Sequence, residues 1–386
     1  MNNKPLKIVA DENMPAVREM FAGLGEVITL PGRQMRSDQL ADADILLVRS
    51  VTPVNDALLN NSPVRFVGTA TIGTDHIDTA LLRQREIGFS SAPGCNADAV
   101  VEYVLSALYQ LADEQGFKPS DRTFGVIGAG NVGGRLVKRL KALGLSVLVN
   151  DPPRQQAGDE GLVGLDRLLA EADFICMHTP LTRDGDHPSF HLMDEVRLAS
   201  LKPGAILLNA GRGPAIDNIA LLNLSEQRPD LTLVLDVWEH EPVVDPRLAG
   251  QVRIVSPHIA GYSQDGKIRG TWMLYRACCQ YLGLEVEHQL EHFLPRPALA
   301  EVTVNDQITP LELIRLRYDP YRDDRALRAT LKQPEGTRAL DFDALRKHYP
   351  VRREFASLRV KGVTDPALQQ ELSALGFTLA APAEIA

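Results

Sequence analysis

Three polar residues, Arg212, Glu241 and His258, each follow an apolar run and sit in a short loop. The loops read Asn209-Ala210-Gly211-Arg212-Gly213, Asp236-Val237-Trp238-Glu239-His240-Glu241-Pro242 and Ser256-Pro257-His258-Ile259-Ala260-Gly261. Singly, each residue has a structural reading, as a surface arginine, a loop carboxylate or a hydrogen-bonded histidine. Together they make a chemical set. Histidine titrates near physiological pH and suits a general base. A neighbouring carboxylate favours its protonated form and fixes the tautomer. An arginine can clamp a substrate carboxylate and stabilise an oxygen as charge develops on it. Such a set fits oxidation of a 2-hydroxy acid: the base takes the hydroxyl proton while C2 gives up hydride.

A hydride needs an acceptor, and Gly128-Ala129-Gly130-Asn131-Val132-Gly133 offers a place for one. A GxGxxG alone is weak, but this one follows an apolar strand pattern ending at Ile127 and opens a helical pattern. In a dinucleotide fold Gly128 permits the tight turn, Gly130 lets the pyrophosphate approach, and Gly133 lets helix pack on strand. The helix start adds free N–H groups and partial positive charge. Asp151 ends the next strand pattern, 18 residues beyond Gly133. An acid there accepts from the adenosine ribose and repels a 2′-phosphate, which favours NAD over NADP. Its alternative is a turn aspartate before Pro152-Pro153, and Arg154 keeps NADP open. Ligands of doubly wound sheets sit at strand carboxyl ends. Thr179 is therefore a candidate ribose or pyrophosphate contact, and Asp236 a candidate partner for the nicotinamide carboxamide. His178 reads as structural.

The elements that must position these residues are legible as short apolar runs. Residues 6–10, 44–48 and 64–68 form a first strand series. A long helical stretch from about 97 leads into a second, at 123–127, 146–150, 173–177, 205–209, 231–236 and 253–256. Strands alternating with helices predict right-handed crossovers and parallel, doubly wound α/β sheets. After about 283 the rhythm stops and charge becomes dense. Residues 301–305 alternate like a half-exposed strand, and 341–355 are amphipathic and basic.

Composition limits the alternatives. The 386 residues exceed one ordinary core. A 44% apolar content and a mean hydropathy of -0.11 suit a globular chain without a membrane span. Four cysteines, Cys95, Cys176, Cys278 and Cys279, suggest neither a disulfide framework nor a zinc site, so no metal is expected. With no signal-peptide pattern at the start, a reducing cytoplasm is the expected compartment. A net charge of -9 argues against nucleic-acid or membrane-surface binding. An anionic substrate must then find its cations locally.

The glycine fingerprint, His178-Thr179-Pro180-Leu181-Thr182 and the three loops above resemble the D-isomer-specific 2-hydroxyacid dehydrogenases, in order over roughly residues 6–283. The resemblance implies Arg212 as the substrate-orienting arginine, His258 as proton donor and acceptor, and Glu241 as its partner. It also implies cofactor contacts at Gly128, Gly130, Asn131, Val132, Gly133, Asp151, Thr179, Asp236 and Gly261. The fold implied is two Rossmann-like domains, with a substrate domain (1–96 with 260–283) interrupted by an NAD domain (97–259).

Val48-Arg49-Ser50-Val51-Thr52, the run from Phe66 to Asp78 and Ala92-Pro93-Gly94-Cys95-Asn96-Ala97 resemble one branch of that family, the 4-phosphoerythronate dehydrogenases. That branch oxidises 4-phospho-D-erythronate to 2-oxo-3-hydroxy-4-phosphobutanoate on the route to pyridoxal 5′-phosphate (vitamin B6). It carries an extra carboxyl-terminal domain for homodimerisation, matched here by a small α+β domain over 284–386. Thr69-Ala70-Thr71-Ile72-Gly73 could present an anion-binding nest or simply hold itself together. Ser50, Thr71 and Tyr262 are the candidate substrate contacts. No P-loop is present, so the phosphate falls to Lys267, Arg269 or the basic residues Arg346, Lys347, His348, Arg352 and Arg353. Two rivals stay open: another member of the family such as a 3-phosphoglycerate dehydrogenase, and a non-catalytic NAD-sensing corepressor.

Overall fold

A computed structural model describes residues 5–380, which form two compact units. The first comprises residues 5–96 with Ser263–Arg296; the second comprises Ala97–Tyr262 with residues 297–380. No described helix is long and apolar enough to cross a membrane.

The first unit holds a five-stranded sheet of β1 (Leu6–Asp11), β2 (Gly25–Leu30), β3 (Ile45–Val48), β4 (Phe66–Thr69) and β5 (Gly88–Ser91). Its order is β2-β1-β3-β4-β5 and every pairing is parallel. The central β3 and β4 are buried throughout, as a sheet covered on both faces requires. The second unit is built on β6 (Thr123–Ile127), β7 (Ser146–Asn150), β8 (Phe174–Met177), β9 (Ile206–Asn209), β10 (Thr232–Leu235) and β11 (Ile254–Val255). It is also parallel, in the order β11-β10-β9-β8-β6-β7. The direction of winding reverses between β6 and β8, which brings the turns after Ile127 and Met177 side by side. Crevices at such reversals are where doubly wound sheets take ligands.

In these two sheets, two strands escape the sequence reading, β2 and β5. Both lie on sheet edges, and their half-buried residues lack the continuous apolar run of a central strand. The tail holds a third sheet, β12 (Glu301–Thr303), β13 (Arg359–Lys361) and β14 (Thr378–Leu379), parallel throughout.

The sequence sets 284–386 apart, but residues 284–296 pack in the first unit. There Val286, Leu290, Phe293 and Leu294 join the core of Phe21, Leu274 and Tyr275. The rest of the tail shares one apolar core with the second unit. Leu313, Ile314, Tyr318, Phe355, Leu372 and Phe377 pack in the cluster containing Tyr103, Leu108 and Leu136. A shared core ties the tail's stability to that of its host. Leu313, fully buried, is the test: Leu313→Ala is expected to cost about 3 kcal/mol. In urea it should lower the midpoint of the whole second unit, whereas separate melting of the tail at an unchanged host midpoint would contradict the shared core.

Candidate active site

The glycine loop forms where β6 meets β8. Gly128 has φ 86, and a Cβ there would lie 3.0 Å from the His178 carbonyl carbon and the Thr179 nitrogen. Both its conformation and its closeness to the next strand end call for glycine. At Gly133 a Cβ would lie 1.8 Å from the Gly128 oxygen, so the helix Asn131–Ala142 can start here only because residue 133 has none. Gly130 has open space around it, and no side chain caps this helix. Asn131 is exposed and Val132 half-buried at its first turn.

Asp151 is committed twice within the chain. One oxygen accepts from the Ala129 N–H at 2.8 Å, inside the glycine loop; the other caps the next short helix through the Arg154 N–H at 3.1 Å. The turn reading and the loop-organising role are thus both real. Arg154, the residue that kept NADP open, is engaged by Asp159 and by the Ala129 carbonyl at 2.5 Å. Beside the loop, the Thr179 hydroxyl and both ring nitrogens of His178 are buried and have no partner among the described residues. Buried polar atoms are rarely left so. Together with the open Gly130 and the uncapped helix, these atoms fit a polar dinucleotide.

The second cluster grows from Asp236, which is 1% exposed at the end of β10. Its carboxylate accepts from Ser256 Oγ at 2.6 Å, the Ile259 N–H at 2.8 Å and the Ala260 N–H at 3.0 Å. Its backbone oxygen accepts from the His258 N–H at 2.7 Å. These bonds hold His258 at φ 57, a left-handed conformation uncommon for a residue with a Cβ. The Tyr103 hydroxyl meets Ser256 Oγ at 2.9 Å behind it. Burial pushes the Asp236 carboxyl up, against the charge of His258 and the three bonds it accepts.

From this support His258 Nδ1 reaches Glu241 Oε2 at 2.8 Å. The other Glu241 oxygen accepts from the Trp238 N–H at 2.8 Å. Burial would raise the Glu241 carboxyl, but the His258 bond and charge, the Trp238 N–H and the Arg346 charge hold it below the ordinary value. An ionised carboxylate only accepts, so Nδ1 carries the hydrogen, and in the neutral ring Nε2 keeps its lone pair.

Arg212 is half-buried in the adjoining loop. Asn209 shapes that loop from both sides, accepting from the Gly211 N–H at 3.0 Å and donating to the Arg212 carbonyl at 2.9 Å. At Gly213 a Cβ would lie 1.9 Å from the Trp238 oxygen, so the arginine loop lies directly on the loop that carries Glu241. His191 braces the two: its N–H donates to the Pro214 carbonyl at 2.8 Å, and its Nε2 meets Glu239 at 2.6 Å. Glu239 in turn accepts from the Asn218 N–H at 3.0 Å.

The substrate candidates divide between the units. Ser50 is exposed in the turn after β3. The Thr71 hydroxyl donates to the Gly73 carbonyl at 2.9 Å and meets Thr69 Oγ1 at 2.7 Å, so this loop does hold itself together. Lys267 belongs to the same unit; desolvation and the like charge of Arg49 pull its ammonium down from its ordinary value. In the second unit Tyr262 packs edge-on against Tyr349, at 5.7 Å between centroids. Gly261 ends the Asp236-held turn just before it. The His191 brace, Tyr103 and Asn218 have no signature in the sequence, since only folding brings them to these loops.

His178 yields a pH prediction. Burial lowers its imidazole from 6.5 to about 4, so the unfolded chain takes the proton first as pH falls. Stability without ligand is therefore intact above 6.5 and declines between 6.5 and about 4. His178→Gln should flatten that decline by about 3 kcal/mol, read from urea midpoints across the interval. Parallel curves for the two proteins would sink the assignment.

Comparison with known proteins places the chain. Residues 102–260 match the model of the D-isomer specific 2-hydroxyacid dehydrogenase NAD binding domain, and residues 293–376 match a domain of unknown function. Among solved structures, NAD+-bound 3-phosphoglycerate dehydrogenase from Entamoeba histolytica is 24% identical at a TM-score of 0.60, covering 75% of this chain and 99% of that one. D-lactate dehydrogenase from Aquifex aeolicus is 23% identical at a TM-score of 0.55, covering 72% of this chain and 95% of that one. These share the fold. Erythronate-4-phosphate dehydrogenase from Pseudomonas aeruginosa is 51% identical over 379 residues, 97% of this chain and 100% of that protein. The same enzyme from Stutzerimonas stutzeri is 52% identical over 379 residues, 97% of this chain and 100% of its own length. Likeness at this level runs through both units and the tail, and the chain belongs to the erythronate-4-phosphate dehydrogenase family of D-isomer-specific 2-hydroxyacid dehydrogenases.

Proposed function

We propose that this protein oxidises 4-phospho-D-erythronate to 2-oxo-3-hydroxy-4-phosphobutanoate with NAD, in the synthesis of pyridoxal 5′-phosphate. The observation that carries the reading is the 2.8 Å pair of His258 Nδ1 and Glu241, set beside the Arg212 loop. With Nδ1 spent on Glu241, Nε2 is the atom left to take the proton of the substrate's C2 hydroxyl. Ionised Glu241 stabilises the imidazolium that results. Arg212 holds the substrate carboxylate, which fixes the C2 hydroxyl against the base. NAD, when bound, supplies the acceptor for the hydride that leaves C2 as the C=O bond forms.

Gly128, Gly130, Asn131, Val132 and Gly133 would hold the pyrophosphate, and Thr179 and His178 would find partners in the cofactor. Asp151 would meet the ribose, and its neighbour Arg154 is tied to Asp159, which supports NAD over NADP. Asp236 and Gly261 would serve the nicotinamide end through the turn they share. Ser50, Thr71 and Tyr262 are the proposed substrate contacts. For the phosphate, Arg352 is unsuitable because its fork is spent on backbone carbonyls. Lys267 beside Arg49 is better supported. Leu316, Leu340 and Val351, exposed on the tail, support a homodimer through this segment. The four cysteines, none in a disulfide among the described residues, support a reducing cytoplasm.

A substrate panel with NAD tests the assignment. Phosphoerythronate should turn over well ahead of phosphoglycerate and lactate; the reverse order would move the protein to another member of the family. His258→Ala should lower turnover about 100-fold or more while NAD still binds. An unchanged rate would remove His258 from its role, and NAD binding without turnover of any hydroxy acid by the native chain would favour a sensor. Sedimentation at micromolar concentration should show a dimer, with a monomer counting against the tail interface.

A further inference from the structure

Arg352 is one of the few charged side chains in the second unit that are almost fully buried, at 2% exposure. It follows the helix Glu335–Lys347, in the irregular stretch that leads to Phe355. Its Nη1 donates to the Ala260 carbonyl at 3.0 Å, and its Nη2 donates to the Ala99 carbonyl at 2.7 Å. The guanidinium lies 3.8 Å over the ring of Tyr318. The backbone just beyond is pinned as well, since the Phe355 N–H donates to Glu102 at 2.7 Å. Tyr349, three residues before Arg352, packs on Tyr262 and donates to Asp323 at 2.8 Å.

Burying a guanidinium is costly; Glu102 and Asp323 lie close enough to offset part of that cost, but the direct hydrogen bonds go to two neutral carbonyls. What the arrangement does provide is geometry. A planar fork bridges two carbonyls on separate segments in a fixed geometry, which the single rotatable nitrogen of a lysine does less rigidly. The carbonyls it bridges are not arbitrary. Ala260 lies two residues after His258 and just before Gly261 and Tyr262. Its N–H is held by Asp236 at 3.0 Å, so the residue is gripped through its N–H from the end of β10 and through its carbonyl from the tail. Ala99 lies in the first turn of the helix Ala97–Gln115, the rigid element against which the fork is braced.

We propose that Arg352 is a positioning residue for the reaction. By bridging the Ala260 and Ala99 carbonyls it fixes the His258–Tyr262 turn, which makes the segment matched to a domain of unknown function part of the catalytic apparatus of its own chain. The inference rests on the reading of His258 as the base.

Full-length Arg352→Met, Arg352→Lys and His258→Ala, with the Arg352→Met/His258→Ala double variant, test it. NAD binding measured by fluorescence gives the number of folded sites, and turnover is expressed per NAD-binding site. Arg352→Met, which keeps length and loses the donors, should lower kcat about tenfold or more with KM little changed. Arg352→Lys should recover part of that loss. On the His258→Ala background, Arg352→Met should change kcat by no more than about threefold, because the turn no longer carries a base to position. Wild-type kcat per site in Arg352→Met, with only a lower melting temperature, would overturn the proposal and leave a structural arginine. A further tenfold loss on the His258→Ala background would overturn it too. Should Arg352→Met bind no NAD, Arg352→Lys decides alone, and wild-type kcat per site overturns the proposal. Full activity in His258→Ala would instead bring down the base itself and the positioning with it, whereas an inactive His258→Ala beside a fully active Arg352→Met removes the positioning alone.

Discussion

One buried carboxylate organises the chemistry of the second unit. Asp236 touches neither Glu241 nor the His258 ring, yet its side chain gathers Ser256, Ile259 and Ala260, and its carbonyl takes the N–H of His258. The turn it encloses presents the imidazole from a backbone conformation that local preference opposes by about 1 kcal/mol or more. Several bonds converge on one short stretch, so the strain is held where it is useful. The imidazole inherits its orientation from this hub, and its tautomer from Glu241.

Close approach of backbones does the rest. Gly128 sets the first strand-to-helix turn against the end of β8, Gly133 lets the helix close on the Gly128 carbonyl, and Gly213 lays the arginine loop on the carbonyl of Trp238. Each contact leaves no room for a side chain, and each fixes one loop against another whose chemistry it needs. Gly128, Gly133 and Gly213 are thus spacers set at zero. Where approach is looser, polar side chains serve as braces, as His191 does between Pro214 and Glu239.

Much of this was legible in the sequence because it is local. The strand-turn-helix around Gly128 and the loops bearing Arg212, Glu241 and His258 are contiguous motifs, and central strands such as β3 and β8 declare themselves as unbroken apolar runs. Edge strands β2 and β5 do not, because exposed edges tolerate mixed residues. The tail's allegiance was also hidden. Dense charge around 283–296 and beyond reads as a separate domain, and nothing in the order of residues reveals that Leu313 and Phe355 complete a core begun at Tyr103. Partnerships spanning long separations, Tyr103 with Ser256 or Arg352 with Ala99, are products of the fold and have no pattern to detect.

Asp151 carries an implication for anyone wishing to retune the nucleotide preference. In many dinucleotide folds the acid after the second strand is regarded as a detachable selectivity filter, exchanged for a neutral residue to admit a 2′-phosphate. Here the same carboxylate is a tie-beam, holding the amide of Ala129 and starting the helix that bears Arg154. The selectivity proposed for Asp151 shares its side chain with the scaffold, so redesign has to furnish a substitute acceptor for Ala129 before a filter there can be changed.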